Sequence, residues 1–297
     1  MFFAVVLAAA ATGALASPSS PVLSSTSPDL LQCLLSPPSF SCENKTDVNT
    51  CCLPTQGLVL QTQFWDTYTG YEQDGQLLPK DSWTIHGLWP DNCDGSYESY
   101  CDLSRQYDPA PSPATVNNVT VPPYTGPSVA NWINQFGRKD LLDYMNKYWI
   151  AQNQPNWWLW AHEYSKHATC FTTFDTKCYG KNYKEHEELI NYYDTTIQAF
   201  KQYPTFKWLA KKGIIPSNST TYTRDQILGA LEAATGVTPY IGCSKTGAFQ
   251  EVWYYSHSFG APQLGIFKQL NTTSTSNCPE TGISYFQRSV GSEHILH

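Results

Sequence analysis

The chain has 297 residues, 10 of them cysteine, and a formal net charge of −7 at pH 7. That acidic balance excludes a protein that grips nucleic acid through a broad basic surface, though it leaves room for an enzyme that holds a few nucleotides in a cleft. The length is enough to bury a substantial core, as one large domain or two small ones.

The N-terminus reads MFFAVVLAAAATGALASPSS. Its apolar run from Phe2 to Ala11 is too short to span a bilayer and leads into Ala14-Leu15-Ala16, a small-x-small cleavage pattern. Residues 1–16 are therefore read as a secretory signal peptide cut after Ala16, although no basic residue precedes the apolar run. No later stretch has the length and apolarity of a transmembrane helix. A soluble protein is expected, without a membrane partner, secreted or delivered to a vacuole or lysosome by the same route. Residues 17–28 form a Ser/Pro linker, and residues 29–297 are read as a single domain.

Cysteines 33, 42, 51, 52, 93, 101, 170, 178, 243 and 278 make an even count behind a signal peptide, which reads as a disulfide framework. They contain no C-x-x-C pair, and adjacent Cys51 and Cys52 are poorly placed to bind one metal together. Asn44, Asn118, Asn218 and Asn271 each begin a glycosylation sequon.

Along the chain, GLVLQTQFWDT from Gly57 has strand composition. SWTIHGLWP alternates, with Trp83 and Ile85 on one face and Thr84 and His86 on the other, and Gly87 and Pro90 predict that this strand ends in a loop. Asp108 to Pro127 is Pro-rich and reads as an irregular loop inserted within the domain, because cysteines lie on both sides of it. SVANWINQF, RKDLLDYMNKYWIA and HEELINYYDTTIQAF carry helical periodicity, and Trp157 to Cys170, free of proline and glycine, predicts another helix. Thr223 with Gln226 forms a capping box that starts a further helix, ended by Gly236. VTPYIGC, EVWYYSHS and GIFKQL read as C-terminal strands, and the tail after Cys278 is uninformative. Strands and helices interleave without a βαβ rhythm, so the class is α+β, with a central antiparallel sheet packed by helices.

WAHEYSKHATC, residues 160–170, concentrates the ionisable groups. A helix puts Glu163, Lys166 and His167 on one broad face, with His162 at its edge. Zinc hydrolase chemistry would need H-E-x-x-H, whereas these histidines are five apart, about 140° around a helix, and Lys166 adds an unwanted cation. A solvated Glu–Lys face is the ordinary alternative. His86, on a separate strand among large aromatics, shifts the balance, because two histidines on two rigid elements fit phosphodiester cleavage. A neutral imidazole takes the proton of a ribose 2′-OH while an imidazolium protonates the leaving 5′-oxygen, with a cation and a carboxyl group stabilising the phosphorane.

Trp83–Pro90 and Leu159–Cys170 resemble the two signature segments of the ribonuclease T(2) family of secreted, acid-active endoribonucleases. Ala168 and Tyr164 depart from the more usual glycine and tryptophan without touching a reactive group. The resemblance implies His86 as general acid and His167 as general base in the transfer step, with these roles exchanged when the cyclic phosphate is hydrolysed. It implies Glu163 and Lys166 as transition-state stabilisers and His162 as a phosphate-binding residue. Trp89, Asp91 and Tyr97 fall at a base site, where aromatics stack on the base and the carboxylate bonds to it. Core packing is the alternative for Trp89 and Tyr97. Fungal members imply disulfides Cys33–Cys52, Cys42–Cys93, Cys51–Cys178, Cys101–Cys170 and Cys243–Cys278. His186, His257, His294 and His297 carry no motif. The resemblance implies a monomeric endoribonuclease acting on single-stranded RNA and not on DNA, without metal or cofactor and with low base specificity. A zinc hydrolase and a secreted toxin or recognition protein are the rival readings.

Overall fold

The computed structural model describes Cys33, residues 39–43 and residues 48–294. The signal peptide, the linker, Asn44 and His297 lie outside these described residues. In chain order come β1 (Leu58–Phe64), β2 (Thr84–Asp91), the short hairpin of β3 (Thr115–Val116) and β4 (Val119–Thr120), and helices α1 (Val129–Gln135), α2 (Lys139–Tyr148), α3 (Asn156–Lys166), α4 (Glu187–Lys201) and α5 (Thr205–Lys211). There follow β5 (Thr221–Tyr222), α6 (Arg224–Thr235), β6 (Tyr240–Cys243), β7 (Phe249–Ser258), β8 (Phe267–Leu270) and β9 (Ile283–Ser284). The fold is α+β, with an antiparallel sheet of order β2-β1-β7-β6 and β8 paired to the far end of β7.

Paired residues of an antiparallel ladder share a face, so the sheet's two sides can be read from its register. Val59, Ile85 and Leu88 pack with Ile133, Met145, Trp160 and Tyr192 from α1, α2, α3 and α4. On the opposite face, Leu58, Leu60, Tyr240 and Tyr255 pack with the partly buried Trp89 and Trp253. A second large cluster joins Trp83, Leu209 of α5, Leu231 of α6, Ile241 and Tyr285. The disulfides are Cys33–Cys52, Cys42–Cys93, Cys51–Cys178, Cys101–Cys170 and Cys243–Cys278.

Several local expectations are corrected. β2 does not end at Gly87 but continues through Pro90 to Asp91, which is tolerated because β2 is an edge strand. Thr62 faces Gly87 while Gln63 faces Ile85, so His86 is the extra residue of a β-bulge. The helix expected to reach Cys170 ends at Lys166; His167 is its cap, and Ala168–Cys170 form a 3-10 turn. The Pro-rich stretch contains the β3–β4 hairpin. The tail after Cys278 is packed: β9 pairs with β5, and Tyr285 is fully buried and accepts a hydrogen bond from the Trp83 indole at 3.0 Å.

Candidate active site

The bulge positions His86. An extra residue re-aims the side chains that follow it, and here the His86 ring meets the edge of Trp89 with centroids 4.7 Å apart. Phe64 stacks on the His86 ring at 3.7 Å, and the Trp149 indole donates to the His86 carbonyl at 2.8 Å. α3 supplies the facing carboxylate. Glu163 is 0% exposed; its Oε2 accepts from Trp89 Nε1 at 2.7 Å, and its Oε1 lies 3.3 Å from His86 Nε2. This approach requires Gly87, because a Cβ there would collide with Glu163 Oε2 and lie 2.7 Å from Trp89 Nε1.

His167 leaves the α-helix as its cap and stacks on Trp89, with centroids 4.8 Å apart and planes at 15°. Trp89 therefore contacts both histidines and is bonded to Glu163. Its other ring contact is Trp253, edge-on at 5.3 Å, so one indole face is already covered. Lys166 is half-buried and forms no ion pair among the described residues.

The electrostatics divide the site's labour. Burial alone would raise the Glu163 carboxyl, but the neighbouring histidines, His86 first, outweigh it and hold the group at about 2. Burial drives the His167 imidazole well below the usual histidine range, against the opposing pull of Glu163. Asp91 is half-buried and is pushed up to about 7 by desolvation. Its backbone bridges Tyr97, which is 69% exposed and free to meet a flat ligand.

A cavity of about 430 Å³ opens beside His86, lined by Phe64, Asp66, Trp158, His162 and Glu251 among others. Burial pushes Asp66 up to about 7 and raises Glu251 as well. His162 faces this cavity and bonds through Nδ1 to Asp108 Oδ2 at 2.6 Å. No motif singled out Asp108: it lies 54 positions before its partner, at the start of the Pro-rich stretch.

His162, Glu163 and His167 each offer a ligand atom within 4.8 Å of one another. The helical-spacing argument against a metal missed this, because the chain turns at His167. Within this set Glu163 Oε2 accepts from Trp89, Glu163 Oε1 lies 3.3 Å from His86 Nε2, and His162 Nδ1 bonds to Asp108, which leaves His162 Nε2 for a ligand.

Elsewhere, Asn118, Asn218 and Asn271 are exposed. His186 stacks on Trp132 at 3.7 Å, and His257 lies 3.3 Å from Glu43. Among the described residues no helix is long and apolar enough to cross a membrane.

The site can be compared with known proteins. A family model described as the Ribonuclease T2 family matches residues 56–278, a span that contains both histidine segments. The chain is 40% identical over 252 residues to Ribonuclease T2 of Aspergillus oryzae, covering 84% of this chain and 82% of that protein. It is 38% identical over 248 residues to Ribonuclease T2-like 1-A of Candida albicans, covering 83% of this chain and 57% of that longer protein. Among solved structures, that of Actibind, a T2 ribonuclease, is similar with a TM-score of 0.69 and 33% identity, over 84% of this chain and 96% of that one. The residues that form the paired-histidine cleft thus lie inside the matched region, and the chain belongs to the Ribonuclease T2 family of endoribonucleases.

Proposed function

We propose that the protein cleaves single-stranded RNA by metal-independent transphosphorylation, through 2′,3′-cyclic phosphates to 3′-phosphate ends and with low base specificity. The observation that carries this reading is that His86 and His167, from separate elements, both contact Trp89 beside the buried Glu163, whose carboxyl is held low.

His167, kept neutral by burial, takes the proton of the ribose 2′-OH. The 2′-oxygen bonds to phosphorus as the bond to the 5′-oxygen breaks, and His86 gives the departing oxygen its proton. Water then opens the cyclic phosphate with the two roles exchanged. Lys166 and His162 meet the phosphate charge. Glu163 joins Lys166 in stabilising the phosphorane, and its contacts with Trp89 and His86 also fix those two side chains.

On one side of the histidines, Tyr97 and Asp91 take the base 5′ of the scissile phosphate, with Trp89 supporting the site. The cavity beside His86 takes the leaving nucleoside. DNA lacks the nucleophile and is not cleaved. The chain is read as a monomeric catalytic domain over residues 29–297, following the secretory route behind residues 1–16 and glycosylated at its sequons. His86→Phe and His167→Phe are each expected to cut kcat by about 10²–10⁴ with the fold intact by circular dichroism. Near-parent turnover in either variant contradicts the two-histidine mechanism.

A further inference from the structure

Among the buried carboxylates that the proposed reaction leaves unused, one lines the cavity beside His86. Asp108 is 2% exposed, yet it faces the cleft's chemistry rather than a structural cation. Its Oδ2 lies 2.6 Å from His162 Nδ1 and accepts from the Tyr100 hydroxyl at 2.7 Å, while its Oδ1 accepts from the Ala110 amide at 2.8 Å. The Tyr100 hydroxyl in turn accepts from the Ser112 amide at 2.9 Å. Burial, then Asp108 itself, holds the Tyr100 phenol well above its usual range, so it remains a donor. The carboxylate thus has a tyrosine and a backbone amide fixing its oxygens, and a histidine in front of it.

The segment is sewn to the catalytic helix rather than draped over it. The Tyr100 amide donates to the Lys166 carbonyl at 3.0 Å, and the Tyr107 amide donates to Ser165 Oγ at 2.7 Å. Cys101–Cys170 ties the same stretch to the turn after His167. Tyr100 adopts a φ of 51°, a left-handed conformation unfavourable to a bulky residue, so the surrounding bonds over-determine it. Both Asp108 and His162 line the cavity that opens beside His86.

We propose that Asp108 is a positioning residue for the RNA-cleaving reaction: it fixes His162 with Nδ1–H donated to its carboxylate and Nε2 presented to the substrate phosphate. A carboxylate on one ring nitrogen sets the tautomer and the ring orientation, and leaves the other nitrogen for the ligand. The inference rests on the proposed function, because it assigns Asp108 to the phosphate of that reaction. It adds a residue from outside both motifs that sets the aim of the motif histidine His162.

The test is a double-mutant cycle with Asp108→Asn, His162→Phe and the pair, read as kcat and KM on RNA and as competitive inhibition by inorganic phosphate. Asp108→Asn is expected to raise KM and the phosphate inhibition constant by about tenfold in the parent, and to add nothing in the His162→Phe background. Equal losses in both backgrounds would mean that Asp108 only supports its loop, and no loss in the parent would equally overturn the proposal. A second measurement needs no variant: nitrogen-15 NMR of the parent should show the His162 proton on Nδ1 whenever the ring is neutral. A neutral ring protonated on Nε2 overturns the inference even if the Asp108→Asn chain does not fold. A parent that fails to cut RNA but shows the Nδ1–H tautomer sinks the function and leaves the positioning geometry standing.

Discussion

Glu163 is fully buried, yet its carboxyl is held low because a hydrogen-bond donor and a histidine stand beside it. Water is replaced by the Trp89 indole on one oxygen and by His86 on the other. His167 receives the opposite treatment from the same burial: its charged form is disfavoured and the imidazole is kept neutral. One desolvated corner thus holds a fixed negative charge and a ready base, as acid–base catalysis below neutral pH requires. The sign follows directly. A base must be unprotonated to act, so a depressed pKa lets it work at lower pH. The acidic limb of kcat/KM is expected to have its midpoint below the ordinary histidine value of about 6.5. A midpoint at or above that value in a pH–rate profile contradicts the assignment of His167 as base. The same shift weakens folding as pH falls through about 6.5, because the unfolded chain then takes up a proton that buried His167 resists.

At the scale of elements, the site depends on how closely α3 approaches β2. Gly87 is the point of contact, and its lack of a side chain lets Glu163 reach Trp89. Gly87→Ala is expected to destabilise the protein by about 1–3 kcal/mol through overpacking, measured by denaturant unfolding. It should also lower kcat by on the order of a hundredfold, because Glu163 and His86 must separate. Parent-like kcat would show that the close approach is dispensable. Much of this arrangement was legible in the chain. His86, Glu163, Lys166 and His167 stood out by type and spacing, and the alternation and periodicity around them located β2 and α3. What was not legible arose from contacts distant in sequence. The bulge at His86 depends on the register with Thr62 and Gln63, and the turn at His167 on packing that stops α3 early. α5, Thr205–Lys211, was not among the expected helices. Asp108 acquires its meaning only when residues 100–108 fold onto α3. Trp89 was read as a base platform or core residue, and its contacts with both histidines and with the Leu60 and Tyr255 cluster come from packing that its sequence position does not reveal.

At the scale of the molecule, the two large apolar clusters and the disulfides hold an acidic chain around a cleft in which burial raises several carboxyl groups. Asp66 and Asp91 are pushed up to about 7 by burial, so below that pH they cease to repel a polyanion. The net charge of −7 at neutral pH therefore overstates what RNA meets in an acidic compartment. The packed tail extends the second cluster past the last cysteine, with Arg288 stacked 4.0 Å over Trp65 and Tyr285 against Trp83. The central claim is that this framework carries a metal-free reaction using the substrate's own 2′-oxygen. Its most direct test is digestion of homopolymeric RNAs at mildly acidic pH in excess EDTA, with the product ends identified by mass spectrometry and a matched DNA alongside. The account predicts cleavage of all the RNAs at full rate, transient 2′,3′-cyclic phosphates that become 3′-phosphates, and intact DNA. Loss of activity in EDTA, 5′-phosphate products, or equal cleavage of DNA would contradict it.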